Sequence, residues 1–460
     1  MNKIRKRRNI PFTVFISMIL LVLFSGSVFA EGWKAGVAKV KITPEESVWM
    51  GGYGFRDHPS EGVLVDIWAK ALVMEDASGG KAVLVTMDLV GISKIISDSI
   101  RDRLQKEYGF SRSQIILSVS HTHTGPALEG NLIDAYPINS KQLKKTIQYS
   151  NNLVKQIVCL TGDALHSMHP VSLSSGNGIT RFQVNRRNNK ENELTSHTEL
   201  KGPNDYAVPV LKVADEDGKL VAIVFGYACH GTVLSVYKFS GDYMGYAQLN
   251  LEKKYPGVVA MFFQGTAGDQ NPIPRRSVAL AKQYGGELAC AVERVLNEKT
   301  KSLSPELKTS YSEINLPMEA SPTSEELESI AKNTNADYVQ RWALRLLKQK
   351  KAGVPFRTDY PYPIELWSLG DQLIVAMGGE PTIKYDINIK GLLGERTFVM
   401  GYSNDVMSYI PTAKIIKEGG YEAKTSQQAY GLPSTWKPQI EEMILKEVVT
   451  LAGDVGFSEK

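Results

Sequence analysis

Cysteine is scarce in this chain, and so is histidine. Three cysteines, Cys159, Cys229 and Cys290, stand far apart in 460 residues. That spacing excludes a disulfide-stapled scaffold and a cysteine-rich metal finger. Net charge is small as well, formally +4. Five of the basic residues, Lys3, Arg5, Lys6, Arg7 and Arg8, fall in the first thirty positions with no acid among them, so removing that segment takes the balance to −1. No electrostatic footprint for nucleic acid is left. Beyond residue 30 there is no long apolar run, which excludes a later membrane-spanning helix. Repeats and low-complexity linkers are missing too.

The first thirty residues read as an export signal. "MNKIRKRRN" is a positive leading region, "IPFTVFISMILLVLF" an apolar stretch, and "SGSVFA" ends in the small residues a signal peptidase reads. Cleavage is expected after Ala30, giving a secreted or periplasmic protein. The remaining residues 31–460 suffice for one large catalytic domain.

Along that domain, strand and helix patterns alternate. "WKAGVAKVKITP" reads as a strand. "VLVDIWAKALVMED" and "KAVLVTMDLVG" read as a hairpin, and "SKIISDSIRDRLQKEYG" as a helix closed by Gly109. The expected class is α/β, a mixed β-sheet core flanked by helices. The charged stretch 304–358 is expected to be helical, a lid or small subdomain.

Two of the seven histidines stand one residue apart in "SVSHTHTGP", directly after the apolar run "QIILSVS". Residues i and i+2 of a strand share a face, so His121 and His123 are expected to look into one cleft. A polar strand rim would show the same alternation. Two further apolar strands end in polar residues: "VFGYACHGTV" at His230 and "LIVAMGGEPT" at Glu380. A lone histidine or a glutamate before proline also serves plain structural ends, as a satisfied side chain or a helix cap. Repetition of the pattern favours a His₂Glu set, which in catalytic zinc sites leaves a position open for water. Tyr409, in "FVMGYSNDVMSYIPT", is the less usual further candidate. Asp88, ending the strand "LVTMD", is expected to support a ligand histidine.

The motifs "AGVAKVKITP", "GGYGF", "LVTMDLVG", "SVSHTHTGP", "VNRR", "ACHGT", "QGTAGDQNP", "GGEPT" and "SNDVMSYIPT…GGYEA" follow one another from Gly36 to Glu422. In that order they resemble the neutral ceramidase family. The resemblance implies a zinc-dependent hydrolase that cleaves the amide bond of an N-acyl lipid by zinc-activated water. It implies zinc on His121, His230, Glu380 and Tyr409, with His123, Arg186 and Tyr421 serving the water and the substrate carbonyl. Gly265 stands where the resemblance implies a serine. Gly265 and Thr266 are expected to shape the substrate pocket, and the family's C-terminal immunoglobulin-like domain is expected to be missing. The partners expected are a small-molecule or lipid substrate and a transient contact with a membrane surface. Two other readings stay open: a zinc hydrolase of this fold acting on a different ester, amide or sugar-linked substrate, and a non-catalytic binding protein.

Overall fold

In the computed structural model, residues 32–457 are described; the expected export segment and the expected cleavage after Ala30 lie outside them. Eight strands of the central sheet run in the order Val259–Gln264, Leu220–Tyr227, Ala207–Asp215, His169–Ile179, Trp33–Lys41, Trp68–Glu75, Lys81–Met87 and Ile115–Val119. The pairs at the two edges are parallel and those between are antiparallel. The sheet is therefore mixed, as the alternation of elements leads one to expect.

Strand alternation sorts side chains to two faces. In Lys81–Met87, Val83, Val85 and Met87 turn to one side and Ala82 and Leu84 to the other. The first set meets the helices Lys94–Tyr108 and Ser140–His166. The long helix starts where the Asn139 side chain accepts from Gln142 N–H. The shorter one stops at Gly109, whose φ of 79° is left-handed. The second set packs against Trp367, Ile374 and Phe398 of a second sheet. That sheet has four strands, in the order Leu307–Pro317, Asp359–Leu369, Gln372–Met377 and Phe398–Met400. Its far face is covered by the helices Ile383–Leu393 and Ile440–Asp454. The layers thus run helices, sheet, sheet, helices.

The stretch 304–358 is not helical throughout. Leu307–Pro317 is a strand, and only Ser324–Asn333 and Asp337–Lys351 form a helical hairpin, with a small apolar core of its own around Trp342. The described residues 32–457 fall in one compact unit.

A strap from Gly401 to Asn404 ties the two parallel edges of the central sheet together. Gly401 N–H donates to Gln264 O at one edge strand. Val119 N–H donates to Tyr402 O, and Asn404 N–H to Leu117 O, at the other. The strap is turned by Tyr402 (φ 51°) and Asn404 (φ 65°). It holds the loops that follow the two edges close to one another.

Candidate metal centre

The strand Ile115–Val119 ends two residues before His121, which takes a left-handed φ of 56°. His121 and His123 therefore come together, with Nε2 atoms 3.1 Å apart, because of a turn, not because a strand continues through them. Thr122 bridges Gly231 in parallel, and His123 N–H donates to Gly231 O. A Cβ at Gly231 would lie 2.7 Å from His121 O, so this approach requires glycine. His230 is thereby drawn against the histidine turn. Glu380 and Tyr409 arrive as direct partners in a short parallel pairing of Glu380–Pro381 with Tyr409–Ile410.

The imidazoles are oriented from behind by backbone carbonyls. His121 Nδ1 lies 2.5 Å from Val90 O, and His230 Nδ1 lies 2.6 Å from Ala267 O. A carbonyl oxygen only accepts, so both hydrogens sit on Nδ1 and both Nε2 lone pairs face inward. Each Nε2 is 3.1 Å from the same carboxylate oxygen, Oε2 of Glu380. Two nitrogen lone pairs and an anionic oxygen therefore converge, all of them buried. A cation among them satisfies all three at once. Metal–ligand bonds of about 2.0–2.1 Å in a tetrahedron put ligand atoms about 3.3 Å apart, close to these separations. The donor atoms of His121, His123 and His230 also fall within 4.8 Å of one another. The buried histidine cluster is able to hold a metal ion.

Electrostatics agree. Burial, helped by Arg186, lowers the His230 pKa to about 4, and burial with His121 and His230 takes that of His123 well below its usual value. Both rings are neutral at neutral pH, the form that ligates metals. Burial alone would raise Glu380; positive charge on the side of His121 and His230 outweighs it and holds the carboxylate well below its normal range, a charge that a bound cation would supply while both rings stay neutral. Tyr430 donates to Glu380 Oε1 at 2.6 Å, and Tyr402 to Oε2 at 3.4 Å. Burial and Glu380 push the Tyr409 phenol well up, so without a cation it keeps its proton and donates to His230 Nε2 at 3.1 Å.

Above the cluster opens a cleft of about 760 Å³, reached by His123, Tyr409, Arg186 and Tyr421. Arg186 donates to Tyr409 Oη at 3.2 Å and through Nε to Glu422 at 2.8 Å. Tyr421 packs edge-on against Tyr409, ring centroids 5.3 Å apart, and is half exposed at the rim. The structure thus gathers His121, His123, Arg186, His230, Glu380, Tyr409 and Tyr421 in one place.

Gly265 and Thr266 stand elsewhere. Both are buried beneath the site and neither is on the cleft wall. A Cβ on Gly265 would lie 2.9 Å from that of Ala228, so the loop is packed too closely to offer a side chain. The loop supports instead. Ala267 O receives His230 Nδ1–H, Gln270 O receives His230 N–H, and Asp269 O receives Arg186 N–H. Asp88 binds Trp68 N–H and Gln248 rather than a histidine. The sequence reading missed Tyr402, Tyr430, Glu422 and Asn271. Asn271 lies on the cleft wall with Oδ1 3.5 Å from both Arg186 and Thr232.

Fold and cluster together define a class: a two-sheet α/β protein with a metal-capable histidine centre just past its strand ends. The pattern of the neutral/alkaline non-lysosomal ceramidase N-terminal region matches residues 33–303. The chain belongs to that family. It is 28% identical over 280 residues to a neutral ceramidase of Pseudomonas aeruginosa, covering 57% of this chain and 40% of that one. To neutral ceramidase B of Dictyostelium discoideum it is 27% identical over 301 residues, covering 57% and 41%. The matched part thus spans about two fifths of these relatives' length. The fold superposes on the crystal structure of the Pseudomonas aeruginosa neutral ceramidase with a TM-score of 0.71 at 20% identity, covering 93% of this chain and 75% of that one. For a ceramidase complexed with C2 the TM-score is 0.72 at 19% identity, covering 93% and 77%.

Proposed function

We propose that this chain is an exported, zinc-dependent hydrolase that cleaves an amide bond. The observation that carries the reading is the convergence of His121 Nε2, His230 Nε2 and Glu380 Oε2 beneath an open cleft. Nitrogen and oxygen donors without a thiolate suit zinc. His121, His230, Glu380 and Tyr409 would hold the ion, and Tyr409 would lose its phenolic proton to solvent on binding it. The ion would supply Lewis acidity, which lowers the pKa of water and polarises a carbonyl.

The chain's own groups do the rest. His123 is neutral and lines the cleft. It takes a proton from the attacking water and delivers it to the leaving nitrogen. Arg186 and Tyr421 donate to the oxygen on which charge builds, and one such donor is worth ~3 kcal/mol. Membership of the ceramidase family supports amide hydrolysis as the reaction class. Export rests on residues 1–30 alone; no helix among the described residues is long and apolar enough to cross a membrane.

The test strips the purified protein with a chelator, reloads it with zinc, and follows N-acyl and ester substrates. About one zinc per chain and activity that returns with zinc are expected. A protein that binds no zinc would overturn the reading, and one that binds zinc but turns over nothing would be the binding protein instead. N-terminal sequencing of exported material should begin at Glu31, whereas an intact Met1 chain in the membrane fraction would show an anchor.

A further inference from the structure

The walls of the cleft suit sugar hydroxyls better than alkyl chains. Five tyrosines line it: Tyr53, Tyr136, Tyr338, Tyr409 and Tyr421. Between them stand three arginines and three glutamates that are already paired. Arg186 and Arg187 both reach Glu422, at 2.8 and 2.7 Å, Arg187 also reaches Glu418 at 3.1 Å, and Arg275 reaches Glu191 at 2.7 Å. The lining charges cancel, so the cleft selects neither an anion nor a cation. Asn271 and Thr232 add neutral polar groups, both largely buried.

Aliphatic surface is almost missing. Of the aliphatic side chains on the wall, Leu132, Ala135 and Ala429 are at least nine-tenths buried, as are Tyr53, Tyr136 and Tyr409, so the open wall is made mostly by the ion pairs, Tyr338 and Tyr421, with Ile273 the one aliphatic side chain among them. A long acyl chain gains ~0.8 kcal/mol per CH₂ only where it meets apolar surface. Here it would instead cover ion pairs and tyrosine hydroxyls, whose lost hydration is costly. A ring carrying hydroxyls exchanges hydrogen bonds with those same groups, and its C–H faces lie against tyrosine rings.

Resting on the hydrolase reading above, we propose that the site removes a short, acetyl-sized acyl group from the nitrogen of a neutral, polyhydroxylated amine. N-acyl amino sugars are that chemical class. Water adds its oxygen to the acyl carbon, the C–N bond breaks, and the nitrogen leaves as an amine carrying a proton from the water. The products are a short carboxylic acid and the free amino sugar, and water is the only co-reactant.

The experiment uses the zinc-loaded protein and two series of probes. The first is glucosamine carrying N-acetyl, N-octanoyl or N-dodecanoyl groups, together with the β1,4-linked dimer of N-acetylglucosamine. The second is ceramide with six- or sixteen-carbon acyl chains in mixed detergent micelles. The released amine is measured. We expect kcat/KM to fall by about tenfold or more from acetyl to dodecanoyl glucosamine, and the acetylated dimer to outrun either ceramide by a similar factor. A rate that is flat or rises with acyl length, or a ceramide cleaved faster, overturns the substrate class and leaves the hydrolase reading standing. If no probe is cleaved, the hydrolase reading falls, and calorimetry with the acetylated dimer and the six-carbon ceramide decides the class. Tighter binding of the sugar supports it, and tighter binding of the ceramide, or no binding of the sugar, overturns it.

Discussion

Two buried polar clusters in this molecule obey opposite rules. Around Glu365, every carboxylate oxygen meets a donor: Trp367 Nε1–H at 2.9 Å on one, and Asn404 Nδ2–H at 2.8 Å with Arg101 at 3.4 Å on the other. Around Glu380, a tyrosine donates to each carboxylate oxygen, but Oε2 also meets two imidazole lone pairs. Both carboxylates are fully buried, and low dielectric raises the stakes of each arrangement. The first cluster closes on itself and holds a helix to the second sheet. The second turns two lone pairs and an anionic oxygen toward one point, an arrangement that a cation would complete. Burial does not distinguish a structural network from a functional one; the pairing of donors with acceptors does.

Substitutions can break that contrast. The largest effect is expected from His230→Ala. Activity should fall about a thousandfold, ~4 kcal/mol of barrier, with most zinc lost and the circular-dichroism melt of the zinc-free protein little changed. Full zinc occupancy in that variant would remove His230 from the ligands. Arg101→Met should do the reverse. It leaves Glu365 buried beside no cation, at a cost of ~3–5 kcal/mol in a urea melt above pH 8, where the carboxylate would carry its charge, while zinc content stays near one per chain. Loss of zinc without loss of stability would erase the distinction between the clusters. Tyr430→Phe removes one hydrogen bond to Glu380 and should weaken zinc by about tenfold in a competition titration against a chelating dye. An unchanged affinity would make Tyr430 a bystander.

The smallest effect concerns pH. Burial pushes Glu365 up to about 8, with Arg101 opposing. Its native pKa lies above the unfolded value of about 4.5, so the native state binds the extra proton between those limits. Its contribution to stability is complete below the unfolded pKa and is lost as pH rises through about 8. Glu365→Gln should flatten the fall in melting temperature across that window, and an unaltered slope would show that Glu365 does not cause it.

Much of this was legible because strands announce themselves. "QIILSVS" and "LVAIVFGYACHG" are apolar runs that stop abruptly at polar residues, and the ordered motifs tie those stops to one family. Three things carried no such sign. Carbonyl partners such as Val90 O and Ala267 O belong to the backbone, so no residue type marks them, and Asp88 was expected in their place. The left-handed turn at His121 is set by its lacing to Gly231 across the site, not by its neighbours in sequence. Leu307–Pro317 looked helical because it is an edge strand of its sheet, and such strands carry charge and serine where central ones carry valine. Tyr430 and Glu422 sit in stretches without periodicity, and only packing brings them to Glu380 and Arg186.

The strap between the sheet edges has a consequence for how the protein is made. His121 and Tyr409 are about 290 positions apart in the chain, and the strap that draws their loops together lies past residue 400. Contacts of such separation form late, because loop closure comes before any reward. During synthesis the first histidines emerge long before the residues that complete their environment. On the metal reading proposed above, an unfinished chain would have nowhere to keep an ion, so metal uptake would report that the last third of the protein has arrived and docked.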